Sequence, residues 1–331
     1  MHFIVLGAGA IGGVIGAKMA QAGCSVELIA RGEHLDVMRR QGGISLVTPE
    51  ERRLVEVDVQ ASVSDCDWQN EAVVLLCVKS QHTTEAVQQI LNVPGGHRLP
   101  IVSIQNGVSN EPVLADLFER VHATVVNLPA MHLKPGEVVS YASGCGGILD
   151  TGCFPMGVDE CNDAIVQGFC AAGFSALSDP QVMRWKYAKL LRNLGNILQA
   201  ALSDSEAAGD IARSLRKEAL ACYEQAGIDC ANRDEVAARH TAEDGGMLYA
   251  MAEVPGFERT AGSTWQSVAR NTGNLETHWL NGEIVRLGEA VGVPTPANAV
   301  CMQLADRLVA SGSGPGLFTT ADFYAELAAL S

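Results

Sequence analysis

Short unbroken apolar runs alternate with amphipathic stretches along the first half of the chain. Phe3 to Leu6, Ser25 to Ala30, Val73 to Val78, Ile101 to Ile104 and Thr124 to Asn127 each read as a strand. Helical patterns over 11–20 and about 82–91 lie between them. Strands that are apolar on both faces and separated by helices predict a parallel sheet covered on both sides. Val138-Val139-Ser140-Tyr141 and Gly146-Gly147-Ile148-Leu149 predict a hairpin appended to that sheet. Beyond Ser178-Asp179-Pro180 the rhythm changes, and 3.6-residue patterns over 181–202, 205–226, 263–272, 275–291 and 297–310 predict helices. The chain thus reads as α/β: a mostly parallel sheet domain over 1–179 and an all-helical domain over 180–331.

Composition narrows the functional classes. The chain has 331 residues, 47% of them apolar and 18% charged, which supports a large core and excludes a disordered chain. Its 23 basic against 38 acidic residues give a net charge of −15, which opposes a phosphate backbone, so no nucleic-acid partner is expected. No apolar run reaches the roughly 18 residues of a membrane span, and no membrane association is expected. The apolar stretch 3–17 is studded with glycines and no Lys or Arg precedes it, so it does not read as a signal peptide. A cytoplasmic protein with free thiols is the expectation. No two of the ten cysteines are three residues apart, and no histidine pairs with a cysteine at metal-ligand spacing, so no metal site is expected.

Gly7-Ala8-Gly9-Ala10-Ile11-Gly12 fits G-x-G-x-x-G, follows the first strand and opens a helix. That context turns a common pattern into a dinucleotide loop: Gly7 allows the turn, Gly9 lets the backbone approach a pyrophosphate, and Gly12 lets helix and strand pack closely. N–H groups at the helix start then face the phosphates. Arg31 ends the second strand, where an Arg accommodates the 2′-phosphate of NADP and an acid would select NAD. Glu33, two residues on, argues the other way. Lys79-Ser80 and Gln105-Asn106-Gly107 also follow strands and are expected at the ligand-facing carboxyl edge.

The helical half has its own anomalies. From Pro180 to Ser203 there are four basic residues and no acid. Lys186, Lys189, Asn193 and Asn196 lie opposite the apolar stripe, with Lys189 and Asn193 one turn apart. Two readings stand: a solvated face, or a local anion trap. Glu276 and Glu283 fall within the apolar arc of the helix predicted over 275–291, and a carboxylate there needs a partner or a role. Lys189 and Glu276 are candidate partners, either as a structural ion pair or in chemistry. Ser263 and Gln266 fit a capping box, and the same helix start, with Thr264, also suits a substrate carboxylate.

In order and spacing these residues resemble the ketopantoate reductase (2-dehydropantoate 2-reductase) family over almost the whole chain. The resemblance rests on the glycine loop, Arg31, Val78-Lys79, Gln105-Asn106-Gly107, Lys189-Leu190 with Asn193, Ser263-Thr264, Glu276, Asn281-Gly282 and Gly292 to Pro296. It implies a Rossmann-type domain that binds NADP(H) through Gly7 to Gly12, Arg31, Lys79 and Asn106. It also implies reduction of a 2-oxo acid, most simply ketopantoate to pantoate in pantothenate and coenzyme A biosynthesis. Lys189 becomes the general acid and Glu276 holds a substrate hydroxyl. Asn106, Asn193, Asn196, Ser263 and Thr264 contact substrate. Where the family often carries a second Asn, four residues after Asn193, this chain has Ile197, with Asn196 one place early. That leaves a related 2-oxo acid, 3-hydroxy acid or opine-type dehydrogenase as an alternative, and a non-catalytic NADP(H) sensor as another. A homodimer through the helical half is an arrangement the sequence leaves open.

Overall fold

The computed structural model describes residues 1–68, 71–204, 208–258, 262–271, 273 and 275–330, with the backbone alone at 263. The N-terminal runs become β1 (His2–Leu6), α1 (Ala10–Gln21), β2 (Ser25–Ile29) and α2 (Gly32–Gln41). Next come β3 (Gly43–Val47), β4 (Arg52–Glu56), β5 (Asp58–Gln60), β6 (Ala72–Leu76), α3 (Thr83–Leu91), β7 (Ile101–Ser103), α4 (Asn110–Ala115) and β8 (Val121–Asn127). β9 (Ala130–Met131), β10 (Glu137–Ser140), β11 (Ala142–Gly144), β12 (Ile148–Cys153) and α5 (Glu160–Ala171) follow. The rest is α6 (Val182–Asn193), α7 (Asn196–Ala201), α8 (Ala208–Ala226), α9 (Arg233–Arg239), β13 (Tyr249–Met251), α10 (Ser263–Ala269), α11 (Thr277–Val291), α12 (Pro296–Ser311) and α13 (Thr320–Leu330).

Seven strands form one sheet in the order β12-β8-β7-β6-β1-β2-β5, parallel except for β12. Alternate residues serve its two faces. Phe3, Val5, Val73 and Leu75 join the core with α1 and α5, while Ile4, Leu6, Val74 and Leu76 pack with α3 and α4. This double cover is what the continuous apolar strands require.

α1 is short of bulky side chains because it is gripped on two sides. A methyl group on Gly12 would fall 2.7 Å from Cys77 Cβ, and one on Gly16 would collide with Leu28 of β2. On the other side a methyl on Gly13 would fall 2.7 Å from Val138 of β10. β10 belongs to a second sheet, ordered β4-β3-β10-β9, so α1 lies between two sheets. The hairpin expected over 138–149 therefore does not form. Val138 and Val139 pair with β3, whereas Ile148 starts a six-residue antiparallel register with β8 that runs to Cys153 opposite His122. The open edge of β8 satisfies more backbone groups than the short hairpin would.

The chain forms two compact units: 1–106, 110–185 and 232–258 in the first, 107–109, 186–231 and 259–331 in the second. Residues 232–258, which the expected boundary at 179/180 puts with the helical half, thus belong to the first unit. β13 pairs with β11, and Arg239 at the end of α9 donates to both oxygens of Asp150 on β12 at 2.8 and 2.6 Å. α6 crosses the division too, since Val182, Met183 and Trp185 pack on Ala123 and Val125 of β8. In the second unit the helix expected over 181–202 is two helices, with Gly195 capping α7.

All ten cysteines are free, and burial pushes several thiols up, Cys66 to about 12 and Cys153 and Cys161 to about 11. Strand pairing gathers one set of donors that linear spacing hides: His122, Cys153 and Asp159 offer atoms within 4.8 Å of one another. Hydrogen bonds account for the Asp159 carboxylate there, since it accepts from His122 at 3.0 Å and caps α5 through the Asn162 N–H at 2.7 Å. Among the described residues no helix is long and apolar enough to cross a membrane.

The Asp150–Arg239 pair is the anchor of 232–258, with side chains 3% and 12% exposed. Burial pushes the Asp150 carboxyl up, and the guanidinium opposes this. Arg239→Ala leaves the carboxylate buried without its cation, and should cost about 3–5 kcal/mol of stability near pH 7. A raised carboxyl pKa favours the folded state only while the group is protonated, so the loss should shrink as the pH is lowered toward 4. Thermal unfolding of both proteins across pH checks this; an equal deficit at pH 4.5 and 7.5 would contradict it.

Candidate active site

In the first unit, the parallel order β7-β6-β1-β2 sets four loops along one carboxyl edge. They hold Asn106, Lys79, the glycine loop and Arg31, in that spatial order. The sheet thus brings together every cofactor residue expected from the sequence.

The glycine loop leaves β1 with Gly7 at φ +109°, a left-handed value that a side chain at this position would resist. The N–H groups of Gly7 and Ala8 donate to Ile29 O at 3.3 and 3.0 Å, pinning the loop to β2. The first turn of α1 then closes from Gly13 N to Gly9 O at 2.7 Å. The amides of Ala10, Ile11 and Gly12 precede that bond and point out of the helix start. No acidic side chain stands in this first turn to compete for them. A methyl at Gly9 would meet nothing within 4 Å, so the loop's outer face is open where a phosphate needs backbone contact. These residues fit a dinucleotide pyrophosphate.

Arg31 is exposed and lies 3.6 Å from the equally exposed Glu85 of α3. Such exposed pairs are weak, so the guanidinium is available to a stronger anion. Lys79 caps the turn after β6 and is half-buried. Burial lowers the nearby His82 pKa, and Arg31 and Lys79 add to that effect against Glu85, so this edge carries two cations. Behind it Gln105, a buried residue, donates to Val78 O and to Thr83 Oγ1, both at 2.8 Å. Thr83 donates on to Asn110 at 3.0 Å, and Asn110 to Ser80 at 3.0 Å. One buried network therefore ties the Lys79 loop to the Asn106 loop.

In the second unit, Lys189 and Asn193 share a face of α6, while Asn196 begins α7 beyond the Gly195 break. The lysine face is not a freely solvated one: Lys186 is only 3% exposed, and Lys189, Asn193 and Asn196 are half-buried. Burial brings the Lys189 pKa down to about 7, Lys186 and Arg192 push the same way, and the Glu276 charge opposes them. Glu276 is half-buried at the N-cap position of α11, outside the apolar arc, where its carbonyl accepts from Trp279 and Leu280 N–H. Glu283 pairs with Arg286 one turn along. Thr264 is buried in α10, whose N-cap is Gly262 where the capping box expects Ser263. Ser263 is instead the first helical residue, and its side chain lies outside the described residues.

A second buried network holds this end of α6. Asn281 of α11 donates to Leu194 O at 3.1 Å and to Asn298 of α12 at 3.0 Å. Asn298 donates to Glu218 of α8 at 2.7 Å, and that carboxylate also accepts the Ala297 and Asn298 N–H groups. Sequence reasoning missed Asn298 and Glu218, although an Asn inside an apolar helix is itself the signal.

Residues 3–155 match the family described as "Ketopantoate reductase PanE/ApbA", and residues 182–309 match its C-terminal counterpart. The chain belongs to this ketopantoate reductase family. It is 25% identical over 322 residues to the 2-dehydropantoate 2-reductase of Pyrococcus horikoshii, covering 95% of this chain and 99% of that one. The crystal structure of a PanE/ApbA family ketopantoate reductase from Ralstonia eutropha JMP134 superposes with a TM-score of 0.77 at 28% identity, over 94% of this chain and 99% of that one. D-mandelate dehydrogenase, solved with NADH and anilino(oxo)acetate, shares the fold with a TM-score of 0.76 at 18% identity, over 95% of this chain and all of that one. The protein is an oxidoreductase that pairs a nicotinamide cofactor with a small-molecule substrate.

The Gln105 network gives the first unit's edge a direct test. Gln105→Ala removes the donor to Val78 O and Thr83 in the interior, a loss of about 2–3 kcal/mol. Chemical denaturation should show that loss; a change under about 0.5 kcal/mol would mean the network does not brace the loops.

Proposed function

We propose that this protein reduces 2-dehydropantoate to pantoate with NADPH as the hydride donor, a step of pantothenate and coenzyme A biosynthesis. The observation that carries this reading is Lys189, a lysine brought down to about 7 beside Asn193 and opposed by the Glu276 charge, in a chain of this family. Bound NADPH supplies a hydride to the C2 carbonyl. Lys189 as ammonium stabilises the charge growing on the ketone oxygen and then donates its proton to it. Lys186 and Arg192 make that ammonium a stronger acid, and Glu276 keeps enough of it protonated near neutral pH. The Glu276 carboxylate accepts from a substrate hydroxyl. Asn106, Asn193, Asn196, Ser263 and Thr264 orient the substrate, and the cationic face of α6 draws in its carboxylate. Gly7 to Gly12 seat the pyrophosphate, Arg31 takes the 2′-phosphate and Lys79 adds a second cation at that edge.

A second reading keeps the reaction and changes the substrate. Ile197, only 1% exposed, stands where the family often has an Asn, and the D-mandelate dehydrogenase relative in fold was solved with an aryl-substituted oxoacetate and NADH. Initial rates for a panel of 2-oxo acids with NADPH and with NADH, followed at the nicotinamide absorbance, decide between the two. The highest kcat/KM is expected for ketopantoate with NADPH. A higher value for another 2-oxo acid selects the second reading, and binding of cofactor without turnover of any would select a non-catalytic role.

Two variants test the assigned roles. Lys189→Ala should lower kcat by roughly 10²-fold or more, the usual contribution of a positioned acid. Because the acid is the protonated lysine, the wild-type reduction rate should be level below pH 7 and fall above it; a rate level to pH 9 would remove Lys189 from proton transfer. Arg31→Ala should weaken NADPH roughly tenfold or more while changing NADH little, and equal losses would reject its phosphate role.

A further inference from the structure

A residue on the neighbouring helix holds the glycine loop from outside. His34 lies in the first turn of α2, and its two ring nitrogens face opposite ways. Gly136 N–H donates to Nδ1 at 2.8 Å, so Nδ1 carries no proton. Nε2 then carries the ring proton and donates it to Ala8 O at 2.8 Å. Geometry alone thus sets a neutral imidazole in one tautomer. Each end of this bridge is itself fixed. Gly136 O accepts from Ser45 N and Gln41 Nε2, both at 2.8 Å, and Ala8 N–H donates to Ile29 O. With both its N–H and its carbonyl engaged, Ala8 cannot rotate, and the peptides that follow it present their N–H groups outward.

We propose that His34 is a positioning residue for the cofactor pyrophosphate, locking the glycine loop in its phosphate-binding form while neutral and releasing it when protonated. This rests on the reading of the glycine loop as the cofactor seat. A protonated ring has a hydrogen on Nδ1 that meets the Gly136 N–H head on, so the bridge must open. Burial holds the His34 pKa below its ordinary value, against the opposing bond to Ala8. The titratable group that faces it is His132, with ring centroids 4.2 Å apart and the rings tilted by 45°, and two imidazoles this close oppose charging together. Other charges nearby are paired, exposed or set over a ring. Arg31 and Glu33 are exposed, Glu137 pairs with Arg52, and Lys134 lies over the Phe257 ring at 5.5 Å. The lock therefore holds at neutral pH and fails on the acid side.

The test is equilibrium binding of NADPH and of NADH to the full chain, without substrate, by fluorescence titration from pH 5.5 to 8.5. His34→Gln retains an amide N–H for Ala8 but cannot ionise, and His34→Ala loses the bridge. The Ala variant should bind both cofactors roughly tenfold more weakly at pH 8, the scale of one lost hydrogen bond. The Gln variant should recover most of that affinity. Wild-type affinity should fall toward the acid end of that range more steeply than that of the Gln variant. Their ratio cancels the titration of the ligand's own phosphate, which also lies near 6. Parallel pH profiles for wild type and Gln variant, or wild-type affinity in the Ala variant, would overturn the proposal. If circular dichroism shows the Ala variant unfolded, the wild-type to Gln ratio decides alone. Failure of wild type to bind either cofactor at any pH would instead remove the loop as a cofactor seat, and the lock with it.

Discussion

The first unit depends on how closely α1 lies to the strands on either side of it. Gly12 and Gly16 press on the large sheet and Gly13 on the small one, leaving no room for a methyl group at any of the three. Interiors are packed to the density of organic crystals, so such a helix cannot be moved outward without opening voids on both faces. Its position puts the helix start directly beyond β1. It also places the small sheet against α2, which brings Gly136 within reach of His34 and His34 within reach of the glycine loop. The seat proposed for the phosphates is thus a by-product of packing: backbone N–H groups converge because the helix that carries them has nowhere else to go.

The second unit works against its own stability. Lys186 is nearly fully buried and Lys189 half-buried, with Arg192 one turn further, in a helix that lacks any acid. A lysine whose folded pKa is lowered costs stability wherever it is charged, so the penalty is full below pH about 7 and vanishes above lysine's ordinary range. Perturbation of this kind gathers at sites where a charge has to be released or exchanged. Elsewhere in the same unit the interior uses neutral amides and a carboxylate that is fully hydrogen-bonded, as in the Asn281, Asn298 and Glu218 network. The contrast separates a polar group that braces helices from one whose proton is held loosely.

Polar residues in the interior were also the hardest to read in advance. Gln105 marks a strand end in the sequence, yet its bonds to Val78 and Thr83 need the side-by-side order of β6 and β7. His34 lies in a run, Arg31-Gly32-Glu33-His34, that reads as a polar helix start, and its second partner is 102 residues away. Residues 232–258 follow the expected domain boundary in sequence, and their partners, the Asp150 carboxylate and strand β11, lie about 90 or more residues earlier in the chain. Glu276 reads in the sequence as an acid within an apolar arc, but a helix boundary shifted by two residues makes it a cap.

Local physics determined a good deal of this protein from the sequence alone. Continuous apolar strands can be stable only when both faces are covered, so Phe3 to Leu6 and Val73 to Leu76 specify a parallel layered sheet wherever they occur. A strand, a glycine loop and a helix in that order specify an anion seat by the same reasoning. What only the tertiary structure decided was partnership at long range: which edge Ile148 to Cys153 would join, where Arg239 would find its carboxylate, how deeply Lys186 would be buried, and which carbonyl His34 would hold. Periodicity is a property of neighbours within a few residues. A hydrogen bond or a buried charge is a property of whatever else the fold brings to within about 3 Å, and that is set by the packing of every element at once.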